Sequence, residues 1–175
     1  YAGNVSWRGT SLTRLDGRPR ARTVAYLPQD APVHWPLAAS EVVALGRLPH
    51  RPYGAERSSA DHAAVADAMR ETDTLPFAAR SVHQLSVGER ARVLLARALA
   101  VEAPVLLVDE PIAMLDPYHQ LEVLGTLRAY AGGPDAGSSP RLVVVVLHDL
   151  GLAARFCDRV LLMDEGAVVG DGTPD

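Results

Sequence analysis

The 175-residue chain contains no lysine; all 17 of its basic residues are arginine. That excludes one motif within it. A phosphate-cradling loop of the form G-x-x-x-x-G-K-[ST] needs a lysine that reaches the terminal phosphates. Cysteine is nearly absent as well. Cys157 stands alone, so no disulfide closes within the chain, which suits a reducing compartment. No apolar run approaches the roughly 18 residues of a membrane-spanning helix. The opening Tyr1-Ala2-Gly3-Asn4 has no basic-then-apolar leader pattern. The net charge of −4 offers no basic surface to nucleic acid. The chain starts on Tyr1 rather than Met and ends on Thr173-Pro174-Asp175 without a helix; a fragment is expected.

What is present is an ordinary globular composition, 48% apolar, long enough for one domain with a real core. Its centre is Val105 to Val108, a short apolar run rich in branched residues. Between Pro104 and Pro111 it reads as a strand buried on both faces, as in a parallel sheet. Asp109 and Glu110 follow at its C-terminal end, where open α/β sheets bind ligands. Two acids there either enter a solvated loop or place carboxylates where a metal and a phosphate could meet.

The remaining strands are arranged around this one. Asn4 to Trp7 reads as a short strand, followed by a turn at Arg8-Gly9. Thr23 to Leu27 reads as another, broken by Pro28-Gln29-Asp30, so Gln29 lies just past a strand end. Leu142 to Leu147, nearly all valine and leucine, reads as a second buried strand ending in His148-Asp149. A histidine there is either structural or a phosphate sensor. Leu152 to Phe156 reads as helix. Val160 to Met163 and Ala167 to Val169 read as a hairpin around Glu165-Gly166.

Between residues 38 and 100 strand patterns give way to alanine-rich helical ones. Ser40 to Gly46 reads as a helix capped by Ser40 and ended by Gly46. Gly46 to Gly54 reads as a loop exposing Arg47, His50 and Tyr53. Ser58 to Glu71 is a second helix with Ser58 and Asp61 in capping-box spacing. Its apolar face is Val65, Ala68 and Met69. A third short helix is expected around Ala78 to Ser81. Ser86 and Glu89 repeat the capping spacing before a helix carrying Val93, Leu94, Ala98 and Leu99. The same N-terminus, with the Ser86 hydroxyl and the Gly88 amide, also suits a phosphate. Asp116-Pro117 begins another helix, with Asp at the cap and Pro at the first helical position; Leu121, Leu124 and Leu127 mark its apolar face. Gly132 to Pro140 reads as a loop.

Five of these stretches together carry a family resemblance. They are Tyr26-Leu27-Pro28-Gln29, Leu85-Ser86-Val87-Gly88-Glu89, Leu106-Leu107-Val108-Asp109-Glu110-Pro111, Met114-Leu115-Asp116 and Leu147-His148-Asp149. In order they resemble the Q-loop, signature, Walker B, D-loop and H-loop of an ABC transporter ATPase. Gly46-Arg47-Leu48-Pro49-His50 and Asp116-Pro117-Tyr118-His119-Gln120 resemble the ATPases of ferric-siderophore, heme and cobalamin importers.

The resemblance implies an α/β fold. It has a P-loop NTPase-like parallel-sheet core (residues 1–37 and 97–175), N-terminally truncated, with an inserted helical subdomain (38–96) that carries the signature. It implies ATP and Mg²⁺ as cofactors. Asp109 would hold Mg²⁺ through water, and Glu110 would orient and polarise the attacking water. Gln29 would contact Mg²⁺ and report nucleotide state to a membrane subunit, and His148 would hold the γ-phosphate. Ser86 and Gly88 would bind ATP seated on a second, identical subunit, and Asp116 would link the two sites. The implied partners are that second copy, transmembrane permease subunits and, indirectly, a substrate-binding protein, at the cytoplasmic face of the inner membrane. The 47–53 loop is the expected permease contact, with Gln29 at the hinge of the lobe.

Two departures qualify this. Val87 replaces a glycine usual in the signature; being β-branched it should keep ordinary backbone geometry. The lysine-bearing loop and an adenine-stacking aromatic would lie before Tyr1. A catalytically silent binding or regulatory subunit is the alternative reading. A DNA-repair ATPase sharing the signature is disfavoured, because no long coiled coil interrupts the chain.

The 175 residues alone are therefore expected to release little or no phosphate from Mg-ATP. Turnover comparable to an intact transporter ATPase, and abolished by Glu110→Gln, would refute that.

Overall fold

The computed structural model describes residues 3–29, 32–132 and 141–174. The loop expected over 132–140 falls, apart from Gly132, outside them, as does Asp30. The chain opens with a two-stranded antiparallel ribbon, β1 (Ser6–Trp7) and β2 (Thr10–Ser11). A short helix, α1 (Gly17–Thr23), then feeds β3 (Val24–Leu27).

The central sheet is parallel, with β3 and β5 (Leu142–Val146) flanking β4 (Val105–Asp109). Its register sets Tyr26 beside Leu107 and Leu107 beside Val144. The C-terminal ends of all three strands, which lead to Gln29, Asp109-Glu110 and His148, thus lie at one edge. The hairpin β6 (Val160–Asp164) and β7 (Ala167–Gly172) forms a separate antiparallel sheet. Its turn has Glu165 and Gly166 both at positive φ, the twist that suits a tight two-residue connection.

One face of the sheet is packed and the other is open. Leu106 and Val108 are buried with Ala25 and Leu27. On the opposite face Tyr26, Leu107, Leu142, Val144 and Val146 are all exposed. The expectation that β4 and β5 are buried on both faces is thus corrected. β3 and β5 alternate, whereas β4 is exposed only at Leu107, Val105 on that same face being buried.

Between β3 and β4 lies the helical lobe: α2 (Ala39–Ala44), α3 (Ser59–Glu71) and α4 (Val87–Leu99). It shares one continuous hydrophobic core with the packed face of the sheet; Val42, Met69, Val93 and Leu95 join Leu27 and Leu106 in it. The α3 and α4 capping boxes form as expected, Ser58 with Asp61 and Ser86 with Glu89. Such a cap contributes about 1 kcal/mol.

Three other local expectations are overturned, two of them for a single reason. Ser40 does not cap α2; Ala38 occupies the cap and makes no side-chain bond. The first N–H groups go instead to backbone carbonyls of a neighbouring segment, Ala39 to Arg80 and Ser40 to Ala78. That segment is the one expected to be helical. It runs as turn and bend between two short 3₁₀ turns, Leu75–Phe77 and Val82–Gln84. Its carbonyls are committed to α2, so tertiary acceptors replace a local cap. On α5 (Pro117–Tyr130), Val123, Leu124, Leu127 and Tyr130 are buried while Leu121 is exposed. The α6 helix (Leu150–Phe156) is capped by Asp149, which accepts from the Leu152 N–H at 2.9 Å.

The expected 46–54 loop differs most. The chain does not stop at Gly46 but tightens into a 3₁₀ helix, Leu45–His50. A Cβ on Gly46 would lie 2.2 Å from the Arg97 carbonyl oxygen, so glycine is required by close approach to α4. Arg47, expected in solvent, is buried. Its Nε donates to Asp61 Oδ1 at 3.0 Å, and its Nη1 donates to the Ala100 carbonyl at 2.8 Å and to Glu102 at 2.6 Å. The His50 ring meets the Val101 carbonyl at 2.8 Å. Of the three residues expected to be exposed, Tyr53 alone is, at 99%; the apolar Leu45 and Leu48 are exposed beside it.

The Arg47 guanidinium, together with the Ser58 amide and hydroxyl, holds the Asp61 carboxyl well below the usual carboxylate range. Removing one member of a buried ion pair costs about 3–5 kcal/mol, because the other charge is left without its partner. Arg47→Met should therefore cost about 3 kcal/mol in denaturant unfolding, and Arg47→Met with Asp61→Leu should recover part of it. Asp61 stays ionised more firmly folded than unfolded. Its contribution is complete above the ordinary aspartate range and is lost as pH falls below it. The Arg47→Met variant should show a correspondingly shallower acid-side decline.

Candidate functional site

Glu110 is where the sheet edge becomes a site. It follows the last residue of β4 with φ +46, a left-handed conformation uncommon outside glycine and typical of functional turns. Its side chain is largely buried, 19% exposed, and both carboxylate oxygens are engaged. Gln29 Nε2 donates to Oε2 at 2.7 Å, and His148 Nε2 lies 2.6 Å from Oε1. Three residues singled out from the sequence, on loops after three different strands, thus meet at one carboxylate. His148 remains 78% exposed, so it can also face a ligand from solvent.

Asp109 sits beside this cluster. Its Oδ2 accepts from the Tyr26 hydroxyl at 3.3 Å. Desolvation, and then the charge and hydrogen bond of Asp109, raise the Tyr26 phenol above its ordinary value. Sequence reasoning passed over Tyr26. The signal was its parity: in the parallel register Tyr26 pairs with Leu107, two residues before Asp109 on the same face.

No group of three or more His, Cys, Asp or Glu among the described residues is arranged to hold a metal ion. Mg²⁺ on a nucleotide needs no such cage. It takes one or two carboxylates and completes its octahedron with water and phosphate oxygens. Asp109, at a strand end with only Oδ2 committed to Tyr26, fits that donor pattern, as does the amide oxygen of Gln29.

A second cluster forms on other elements. Ser86 caps α4, its hydroxyl accepting from the Glu89 N–H at 3.2 Å while Glu89 accepts from the Ser86 N–H at 2.8 Å. That backbone bond, above all, lowers the Glu89 pKa. Val87 is half exposed within the helix and has no positive φ, as expected. Gly88 lies against the segment that starts α5, where a Cβ would meet Leu115 at 3.7 Å and the His119 ring at 3.9 Å. Asp116 caps α5, its Oδ1 accepting from the Tyr118 and His119 N–H groups at 3.1 and 3.2 Å. Its Oδ2 accepts from His119 Nδ1 at 2.6 Å. The His119 hydrogen bond is the first cause of a lowered Asp116 pKa. His119 was another omission, legible as a three-residue helical spacing from Asp116. Among the described residues no hydrogen bond or ion pair joins the Ser86–Gly88–Asp116 group to the Gln29–Glu110–His148 group.

The family model described as ABC transporter matches residues 1–113. The chain belongs to the ABC transporter family. It is 47% identical over 171 residues to the hemin import ATP-binding protein of Streptomyces coelicolor, covering 93% of this chain and 58% of that protein. It is 44% identical over 174 residues to the cobalamin import ATP-binding protein of Halobacterium salinarum, covering 99% of this chain and 42% of that one. The chain thus spans about half the length of these relatives. In three dimensions it resembles a dimeric ATP-binding cassette in a post-hydrolysis state bound to ADP and Pi. The TM-score is 0.79 at 25% identity, with 99% of this chain and 74% of that one covered. The fold is that of the ABC ATPases, a parallel-sheet core with several helices. Among the described residues no helix is long and apolar enough to cross a membrane.

Proposed function

We propose that these residues belong to the ATP-binding subunit of an importer that couples ATP hydrolysis to uptake of a metal chelate of the iron–siderophore, heme or cobalamin class. The observation that carries this is the convergence of Gln29 and His148 on Glu110. Phosphoryl transfer asks a protein chiefly for positioning and charge stabilisation. In this reading Glu110 accepts a hydrogen bond from the attacking water and polarises it. His148 would hold the γ-phosphate, and Gln29 would contact water and Mg²⁺. Asp109 would hold Mg²⁺, which when bound would neutralise phosphate charge. Ser86, Gly88 and Asp116 act on the nucleotide of a second copy. The phosphate-loop lysine comes from outside the 175 residues. The relatives' names, all of import ATP-binding proteins, lend no support to a catalytically silent subunit.

The further partners in this reading are transmembrane permease subunits and, through them, a substrate-binding protein. The subunit sits peripherally on the cytoplasmic face of the inner membrane. Residues 38–96 form the subdomain that docks the permease, and Gln29 links it to the nucleotide. With Arg47 buried, the docking surface is carried by Leu45, Leu48 and Tyr53, apolar and aromatic groups suited to a partner helix.

In the full-length protein Glu110→Gln should bind ATP, stall before hydrolysis and run as an ATP-dependent dimer on a sizing column. Hydrolysis at the wild-type rate would mean that the water is activated elsewhere. Cysteines placed at Pro49 or Tyr53 should cross-link to the cytoplasmic loops of the permease in a transporting complex. Cross-links from Leu121 to Tyr130 alone would put the docking face on the other side of the molecule.

A further inference from the structure

We infer that His119 is a positioning residue that makes the signature turn and the Asp116 turn of one subunit engage the other subunit's nucleotide as a single piece. This rests on the dimeric ATP site proposed above. The start of α5 needs only one oxygen of Asp116. Oδ1 alone serves the Tyr118 and His119 N–H groups, which completes the cap. Oδ2 is spare for that purpose, yet His119 Nδ1 holds it at 2.6 Å. The bond therefore fixes the direction of a carboxylate that is itself 59% exposed.

The same imidazole reaches the other trans-acting element. Its Cγ and Cδ2 lie 3.9 and 4.0 Å from where a Cβ on Gly88 would be. The ring is in turn set edge-on to Tyr118, with centroids 5.4 Å apart and planes at 86°. The Tyr118 phenol is tied to Glu122, whose hydrogen bond is the first cause of its raised pKa. One half-buried ring thus faces Gly88 across the space a single methyl group would fill, and orients Asp116. A hydrogen bond between groups this exposed adds little to stability. Its consequence lies in geometry, where an error of 1 Å can be expensive.

The test uses the full-length protein carrying Glu110→Gln, with the ATP concentration for half-maximal dimer formation read on a sizing column. Replacing His119 with Ala should raise that midpoint about tenfold, as expected for one such bond lost in each of two sites. Melting temperature and the affinity of the monomer for a fluorescent ATP analogue should not change. His119→Asn keeps an N–H near the position of Nδ1 and should restore the midpoint to within about threefold; His119→Phe, a ring without the donor, should not. In an Asp116→Ala background His119→Ala should have no further effect. A midpoint unmoved by His119→Ala overturns the inference, as does an undiminished effect in the Asp116→Ala background or an Asn variant as weak as Ala. A parent that forms no dimer with ATP overturns the dimeric site itself, and this inference with it.

Discussion

Glu110 is the group at which, among the described residues, the three strand-end loops meet. Its carboxylate is mostly withdrawn from water, accepts from Gln29 on one side and meets the His148 ring on the other. A withdrawn carboxylate without polar partners would be costly; two partners from distant parts of the chain make its placement tolerable and define its orientation. The left-handed backbone at Glu110 belongs to the same constraint. The chain must leave β4 sharply enough for this side chain to stand between the neighbouring loops. Whatever displaces one of them changes the surroundings of the other, so Gln29 and His148 are linked through one residue.

Among the described residues the two groups of side chains share no hydrogen bond or ion pair. Glu110 and its partners have the character of a reaction centre: acid, amide and imidazole at the C-terminal edge of a parallel sheet. The Ser86–Gly88–Asp116 group has the character of a clamp, a helix N-terminus and a capped turn held face to face. A second copy with two-fold symmetry would set each clamp over the other's centre, which fits the dimeric state of the cassette it resembles. Within one subunit the clamp is stiffened by local hydrogen bonds and the centre by long-range ones. They are therefore free to respond to different events.

Features decided within three or four residues were legible in the sequence. Both capping boxes, the Asp116 cap and the Glu165-Gly166 turn all depend on donors and acceptors close along the chain. Features decided by distant groups were not. Ser40 looks like a cap until the carbonyls of Ala78 and Arg80 take its place. Arg47 looks like a loop residue until Asp61, Ala100 and Glu102 surround it. Leu142, Val144 and Val146 look buried because their composition is apolar, although among the described residues one face of their strand has no cover. The meeting of Gln29, Glu110 and His148 follows from no spacing at all. The strand-end positions read from the sequence place all three at one edge of a parallel sheet, and the register brings them together.

The register of the sheet also bears on how the chain assembles. Val24 pairs with Val105, so roughly eighty residues must be looped out before the first parallel bond of β3 with β4 can form. Closure of so long a loop is opposed by chain entropy and slows folding when nothing shortens it. The helical lobe is what shortens it. Its helices are local structures started by strong caps, and α4 packs directly against β3. Once they condense, the ends of β3 and β4 are neighbours rather than distant points on a coil. On this view the lobe is first a folding scaffold for the edge where Gln29, Glu110 and His148 meet, and damage to the Arg47 junction would appear as slower refolding as well as lower stability.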